Sequence, residues 1–214
     1  MELVKKFLEE ELNLDSAKFI NEFIRFETLL FEWNKKVNLI SRKSGSIEEH
    51  ILNSVFFLAK YKFENKKSAA DIGTGGGFPG IPLKILFPGT DFLLIDSIRK
   101  KTAALEDIVK EAGYKKCTVI CGRAEEISSE TGFKNKFDVV ISKAVAPLDK
   151  LFLWGKDFLN SKGELLCIKG GNIDDELASL YKLKYKFDVK VINFVFDIPY
   201  GIEDKKAVVI NKIS

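Results

Sequence analysis

Asp71-Ile72-Gly73-Thr74-Gly75-Gly76-Gly77-Phe78-Pro79-Gly80-Ile81-Pro82 constrains this chain more than any other stretch, because it reads as a strand running into a glycine loop and then a helix. Glycines adopt backbone angles closed to other residues and let a ligand come close to main-chain N–H groups, while the helix behind them presents its positive end. Pro79 and Pro82 suit the first turn of that helix, where a missing N–H costs nothing. From Ser68 onward, short apolar runs at 69–72, 92–96, 118–121, 137–142 and 164–169 alternate with helical stretches. Such near-continuous apolar runs belong to a parallel sheet covered on both faces, so the chain is predicted to be doubly wound α/β. The last two runs, 187–196 and 207–213, are joined by a turn around Pro199-Tyr200-Gly201. So direct a connection predicts an antiparallel pair closing a mostly parallel, seven-stranded, Rossmann-like sheet.

Three motifs compete for the glycine loop. Gly75 and Gly80 have P-loop spacing, but Ile81-Pro82 stands where Lys-Ser/Thr would have to reach phosphates and metal. Gly75-x-Gly77-x-x-Gly80 fits the dinucleotide fingerprint, with Asp96 near the expected distance of about 20 residues for a ribose contact. The methyltransferase form, an acid ending the first strand followed by Gly-x-Gly-x-Gly, takes in Asp71, Gly73, Gly75 and Gly77. It accounts for more residues, and the antiparallel ending separates such sheets from dehydrogenase sheets, which continue with parallel units. No Tyr-x-x-x-Lys stands ready for hydride chemistry. A nucleotide-sensing module without turnover is the non-enzymatic alternative.

The 214 residues suffice for one well-cored α/β domain with a small extension. Residues 1–12 and 16–36 have helical spacing, with Phe19, Phe23, Phe26, Leu30 and Trp33 on one stripe. After a Ser-Gly-Ser break, a helix is predicted over 47–60, and a boundary near 65 separates an N-terminal helical extension (1–65) from the methyltransferase domain (66–214). Acids and lysines at the N-terminus, in place of a long apolar run, predict a cytoplasmic protein with no signal peptide and no membrane contact. Cys117, Cys121 and Cys167 are an odd number, expected to be reduced, small buried hydrophobes, and no metal site is predicted. The net charge of +3 is unevenly spread: residues 1–32 hold four bases against eight acids, whereas 33–67 hold eight against three. Lys35, Lys36, Arg42 and Lys43 could line a nucleic-acid path, or could form a solvated lysine surface.

In open α/β sheets the ligand lies beyond the carboxyl ends of the strands. There the sequence places Asp71 with its loop, Asp96-Ser97, Gly122-Arg123-Ala124-Glu125, Ser142-Lys143-Ala144-Val145-Ala146, and Leu166-Cys167-Ile168-Lys169-Gly170. Together with Glu32-Trp33-Asn34-Lys35, Asn38-Leu39, His50-Ile51-Leu52-Asn53-Ser54 and Phe78-Pro79-Gly80-Ile81-Pro82, these residues resemble the RsmG (GidB) family of bacterial 16S ribosomal RNA guanine-N7 methyltransferases over most of the chain. Two departures are Lys143, where the family usually has Arg, and Asn53, where it usually has Asp. Lys keeps the charge without the planar fork.

The resemblance implies S-adenosyl-L-methionine as donor and 16S ribosomal RNA, or a small-subunit ribonucleoprotein, as partner of a monomer. It implies that Gly73, Gly75 and Gly77 take the methionine portion, that Asp71 pairs with its ammonium, and that Asp96 and Ser97 take the ribose. Ala124 and Glu125 would meet the adenine. Lys143 would act in catalysis on either the methionine carboxylate, an RNA phosphate or the guanine. Phe78 would stack on the target base or plug the core beneath the loop. His50 is the only histidine, a structural hydrogen bonder or an RNA contact. Trp33 and Trp154 are expected in the core.

Overall fold

The computed structural model describes residues 1–41 and 45–213. The apolar runs form one sheet of seven strands: β1 (Ser68–Ile72), β2 (Asp91–Asp96), β3 (Cys117–Cys121), β4 (Phe137–Lys143), β5 (Leu159–Gly170), β6 (Phe187–Asn193) and β7 (Lys205–Lys212). Their order is β3-β2-β1-β4-β5-β7-β6. The first five strands pair in parallel, and β7 runs antiparallel to both β5 and β6. This is the mostly parallel sheet with an antiparallel end that the sequence predicts. Because side chains alternate across a strand, neighbours feed opposite cores: Ala69 and Val139 one face, Ala70 and Val140 the other.

One core includes α4 (Gly80–Leu86) and α5 (Arg99–Ala112); the other includes α6 (Ala124–Ile127), α7 (Leu148–Gly155) and α8 (Asp174–Tyr181). The winding therefore reverses between β1 and β4, which opens a crevice at their carboxyl ends.

The N-terminal helices α1 (Glu2–Glu10), α2 (Ile20–Asn34) and α3 (Glu48–Val55) pack into the first of these cores, with Phe7, Phe23, Phe26, Leu30, Ile51 and Leu52 fully buried. All three are shorter than predicted. A 3-10 turn at Ser16–Lys18 precedes α2, held by the Asp15 side chain accepting the Ala17 N–H at 3.2 Å. The turn after α3, Phe56–Ala59, is also 3-10. Just before it, the Ser54 hydroxyl donates to the His50 carbonyl at 2.6 Å, competing with the helical ladder. Phe19 and Trp33, at the ends of the predicted stripe, are only partly buried.

The run predicted as strand to residue 196 stops at Asn193. Phe196 and Tyr200 turn inward instead, meeting Phe7 edge-on at centroid distances of 5.6 and 5.2 Å. The Tyr200 hydroxyl donates to Glu11 at 3.2 Å. The last hairpin is thus clamped to the first helix. The cysteines are free, but only Cys167 is buried; Cys117 and Cys121 are partly exposed because β3 is an edge strand. Among the described residues, no helix is long and apolar enough to cross a membrane.

Candidate active site

The glycine loop shapes itself with its own backbone. Gly73 and Thr74 N–H donate to the Ile95 carbonyl at 2.8 and 2.9 Å, and Gly77 and Phe78 N–H donate to the Thr74 carbonyl at 2.8 and 2.9 Å. Gly75 N–H donates to Asp96 Oδ2 at 3.0 Å. The sequence reading offered these donors to a ligand; five of them are already used. What the loop presents is a bare backbone wall: Gly75 has φ 56°, and a side chain there would project into open space.

Asp71 is wholly buried, and its Oδ2 accepts the Gly80 N–H at 2.9 Å where α4 begins. A Cβ on Gly80 would lie 2.3 Å from Leu94 and 2.8 Å from Asp71 Oδ2, so only glycine lets the helix start there. The carboxylate therefore occupies the end of α4 where a phosphate would otherwise bind. That arrangement fills the helix end with a side chain of the protein itself, whereas the sequence predicts the positive helix end to face the ligand. Burial pushes the Asp71 pKa up to about 7, against the pull of the Thr74 hydroxyl, the Gly80 N–H and Lys143. Neither Asp71 Oδ1 nor Thr74 Oγ1, both buried, makes a well-formed hydrogen bond among the described residues. An orphaned carboxylate oxygen is costly unless something completes it.

In front of the loop lies a cavity of about 250 Å³, lined by Gly73, Asp96, Ser97, Ala124 and Glu125 together with Ile72, Ile95, Ile98, Gly122, Arg123, Val145 and Trp154. Asp96 holds the loop through Gly75 and its own turn through Ile98 N–H, received by Oδ1 at 2.9 Å. Each oxygen still has a lone pair for a further donor. Trp154, expected in the core, reaches this cavity and is only partly buried.

A second cavity, about 530 Å³, is lined by Glu49, His50 and Asn53 of α3, Lys143 at the end of β4, residues 144–147, and Lys169, Glu176 and Lys205. It carries more base than acid. The Lys143 ammonium makes no hydrogen bond or ion pair among the described residues and lies 5.7 Å from the Phe78 ring. Burial lowers its pKa, Asp71 opposes that shift, and Lys205 adds to it. Burial, reinforced by Lys143, also lowers the His50 pKa, keeping the imidazole neutral near pH 7. His50 lies 5.1 Å from the Phe78 ring at 31°. Phe78 itself is 5% exposed and meets Phe26 at 5.4 Å. Of the two readings of Phe78, a stack on the target base or a plug beneath the loop, its burial and its contacts with Phe26 and His50 favour the plug.

Val145 lines both cavities. It follows Ala144, which has the left-handed φ of 54°, and its methyl groups cover Gly73 so closely that a Cβ there would lie 2.6 Å from Val145 Cγ2. Behind it, Lys169 Nζ donates to the Ala146 carbonyl at 2.6 Å and pairs with Glu176 at 2.6 Å. The sequence names Val145 and Lys169 at strand ends without giving either a role, and it gives no signal for Glu176 or Lys205.

Asp71, Gly75, Gly77 and Phe78 line neither cavity. Nor do the exposed Lys35 and Lys36, although their turn abuts the glycine loop. Asn34 Oδ1 accepts Leu39 and Ile40 N–H at 2.8 and 3.1 Å, bringing the Leu39 carbonyl within 3.2 Å of where a Cβ on Gly76 would stand. Arg42 and Lys43 lie outside the described residues. Two other bases of the same segment serve the fold: Lys66 pairs with Glu164, and Lys60 donates to the Asn193 carbonyl at 2.8 Å.

Residues 19–197 match the family model described as rRNA small subunit methyltransferase G. The chain is 40% identical over 165 residues to "Ribosomal RNA small subunit methyltransferase G" of Pelodictyon phaeoclathratiforme, covering 76% of this chain and 70% of that one. It is 34% identical over 200 residues to the protein of the same name from Chlorobium chlorochromatii, covering 91% and 83%. Among solved structures it resembles the mitomycin 7-O-methyltransferase MmcR, with a TM-score of 0.63 at 19% identity over 88% of this chain and 60% of that one. It also resembles a mutant of MtNAS in complex with S-adenosylmethionine, with a TM-score of 0.59 at 16% identity over 100% and 84%.

Proposed function

We propose, because the chain belongs to the rRNA small subunit methyltransferase G family, that it transfers a methyl group from S-adenosylmethionine to N7 of a guanine in 16S ribosomal RNA. The observation that carries this reading is the meeting of two unlike cavities at Val145, one governed by acids and the other by bases.

The first suits a donor that bears an ammonium group and a ribose. Asp96 would accept from the ribose hydroxyls with Ser97 alongside, and the backbone of Ala124 and Glu125 would meet the adenine. The bare wall at Gly75 leaves room for the methionine portion. Asp71 would meet the ammonium through a water, since it lies behind the loop with one oxygen unpaired. When bound, the donor supplies an electrophilic methyl on a positively charged sulfur.

Guanine N7 has an in-plane lone pair and no proton, so no side chain of this protein has to act as a base. Holding the two partners in line can contribute about 7–11 kcal/mol. Positive charge moves onto the purine during transfer, so a cation beside the methyl would oppose the reaction. Lys143 opens into the second cavity rather than the first, which supports a role on guanine O6 or an RNA phosphate over one on the donor carboxylate. Neutral His50 and Asn53 add hydrogen-bonding groups to the same wall.

The test is transfer of labelled methyl from S-adenosylmethionine to 16S RNA, naked and in the small subunit, followed by nucleoside analysis. Label in 7-methylguanosine is expected. Label at another atom overturns the N7 assignment, and donor binding without turnover on any RNA substrate would favour the nucleotide-sensing alternative. Tighter binding of NAD than of S-adenosylmethionine would favour a dehydrogenase.

A further inference from the structure

We infer that Lys169 and Glu176 form a strut that positions residues 144–147 as the wall between the two cavities, and that the rate of methyl transfer depends on it. The inference rests on the two-cavity reading above and assigns roles to residues outside the predicted site.

Three elements distant in sequence converge at this wall. Lys169 comes from β5, Glu176 from α8, and the wall itself is the connection from β4 to α7. Lys169 is 8% exposed, and its ammonium is held by the Ala146 carbonyl and the Glu176 carboxylate, both at 2.6 Å. The same Glu176 oxygen accepts the Leu148 N–H at 3.0 Å. The pair thus satisfies one acceptor and one donor of the loop backbone, on either side of Pro147, which has no N–H to give.

The loop has reason to need such support. Ala144 sits at φ 54°, a conformation that L residues other than Asn and Asp rarely take, and its own N–H reaches the Ile168 carbonyl only at 3.4 Å. Val145, one residue on, is 40% exposed yet must stay over Gly73 to separate the cavities. A buried charge whose partner is removed cannot remain as it was, so losing either end of the strut releases the wall. Lys169 is on this account a positioning residue: it also lines the second cavity, but its Nζ is engaged by the loop and by Glu176.

Lys169→Met and Glu176→Ala test the strut, alone and combined. Glu176 is 30% exposed, so its removal keeps the experiment open if Lys169→Met does not fold. Each variant is expected to lose about 10–100-fold in kcat, the scale of a displacement near 1 Å in a reacting pair, with the donor Kd within about threefold of wild type. The double variant should be no slower than the slower single one, because both break a single device. Hydrogen exchange at the Leu148 amide should quicken in all three, a readout that needs no RNA and no turnover. If wild type fails to methylate RNA, the proposed function falls while the exchange result still decides the strut. Normal kcat and Leu148 protection in Glu176→Ala, with Lys169→Met slow, would make Lys169 a substrate contact and overturn the inference. Multiplying losses in the double variant, or a donor Kd that weakens in step with kcat, would overturn it equally.

Discussion

Asp71, wholly buried, caps the first turn of α4 with one oxygen and leaves the other without a well-formed hydrogen bond, near the Thr74 hydroxyl behind the glycine loop. A carboxyl whose folded pKa stands near 7 keeps a proton in the native state that the unfolded chain has already lost above about pH 4. The native state therefore binds more protons across that window, and this group's contribution to stability falls as pH rises from about 4 through 7, then levels off. Asp71→Asn keeps an acceptor for Gly80 N–H and cannot ionise. Urea denaturation should find the variant close to wild type at pH 5 and more stable at pH 8 by on the order of a few kcal/mol; parallel profiles would refute the burial account. Lys143→Met should lower turnover by about 10–100-fold, one charged hydrogen bond's worth, without weakening donor binding, whereas Lys143→Arg should keep most activity. A matching loss of donor affinity would place Lys143 on the donor carboxylate instead. Asp96 and Lys143, which line the two cavities, stand at strand ends that the sequence marks. The sequence names Val145 without a role and leaves Glu176 unmarked, since what distinguishes them is a meeting of β4, β5 and α8 that no local spacing records.

The turn after α2 shows what a short element does for the site. Asn34 is buried and takes two N–H groups from Leu39 and Ile40, which presses the turn against Gly76. Asn34→Ala leaves the Ile40 N–H unpaired and the Leu39 N–H with the Val37 carbonyl alone, and thermal denaturation should register a loss of about 1–3 kcal/mol, accompanied by weaker donor binding as the loop loses its backing. Unchanged donor affinity would mean the turn merely abuts the loop. Lys35 and Lys36 ride on this same turn, exposed, with Lys36 Nζ 4.9 Å over the Trp33 ring. If the turn guides RNA, changing both to Ala should flatten the log–log salt dependence of RNA binding by about 1.4–1.8, two counterions' worth, and leave the donor Kd alone. An unaltered slope would return them to the solvated surface. Helix existence was readable here from periodicity, but helix ends were not, because 3-10 turns at Ser16–Lys18 and Phe56–Ala59 depend on side-chain hydrogen bonds and packing that periodicity does not carry.

At the scale of the whole molecule, the sequence draws a boundary near residue 65, while the packing runs across it. Phe7 of α1 meets Phe196 and Tyr200 from the connection between β6 and β7, Phe26 of α2 meets Phe78 of the glycine loop, and His50 of α3 covers the same ring. Composition changes at the boundary, but a composition shift says nothing of which faces find each other. We propose that residues 1–65 and 66–214 fold as one cooperative unit. Removing the first would uncover α4, α5 and the β6–β7 connection where Phe7, Phe23, Phe26, Leu30, Ile51 and Leu52 join the shared core, a burial worth about 1.5–3 kcal/mol for each such side chain. That loss matches the entire stability of a typical domain, about 5–15 kcal/mol. A fragment of residues 66–214 should therefore show no cooperative thermal transition and bind no S-adenosylmethionine. Phe7→Ala is the gentler form of the same test: it should cost about 3–5 kcal/mol in urea denaturation and shift the unfolding of both segments together, because its cavity opens at the seam between them. Two separate transitions in that variant, or a folded fragment that binds the donor, would restore the boundary as a real division between domains.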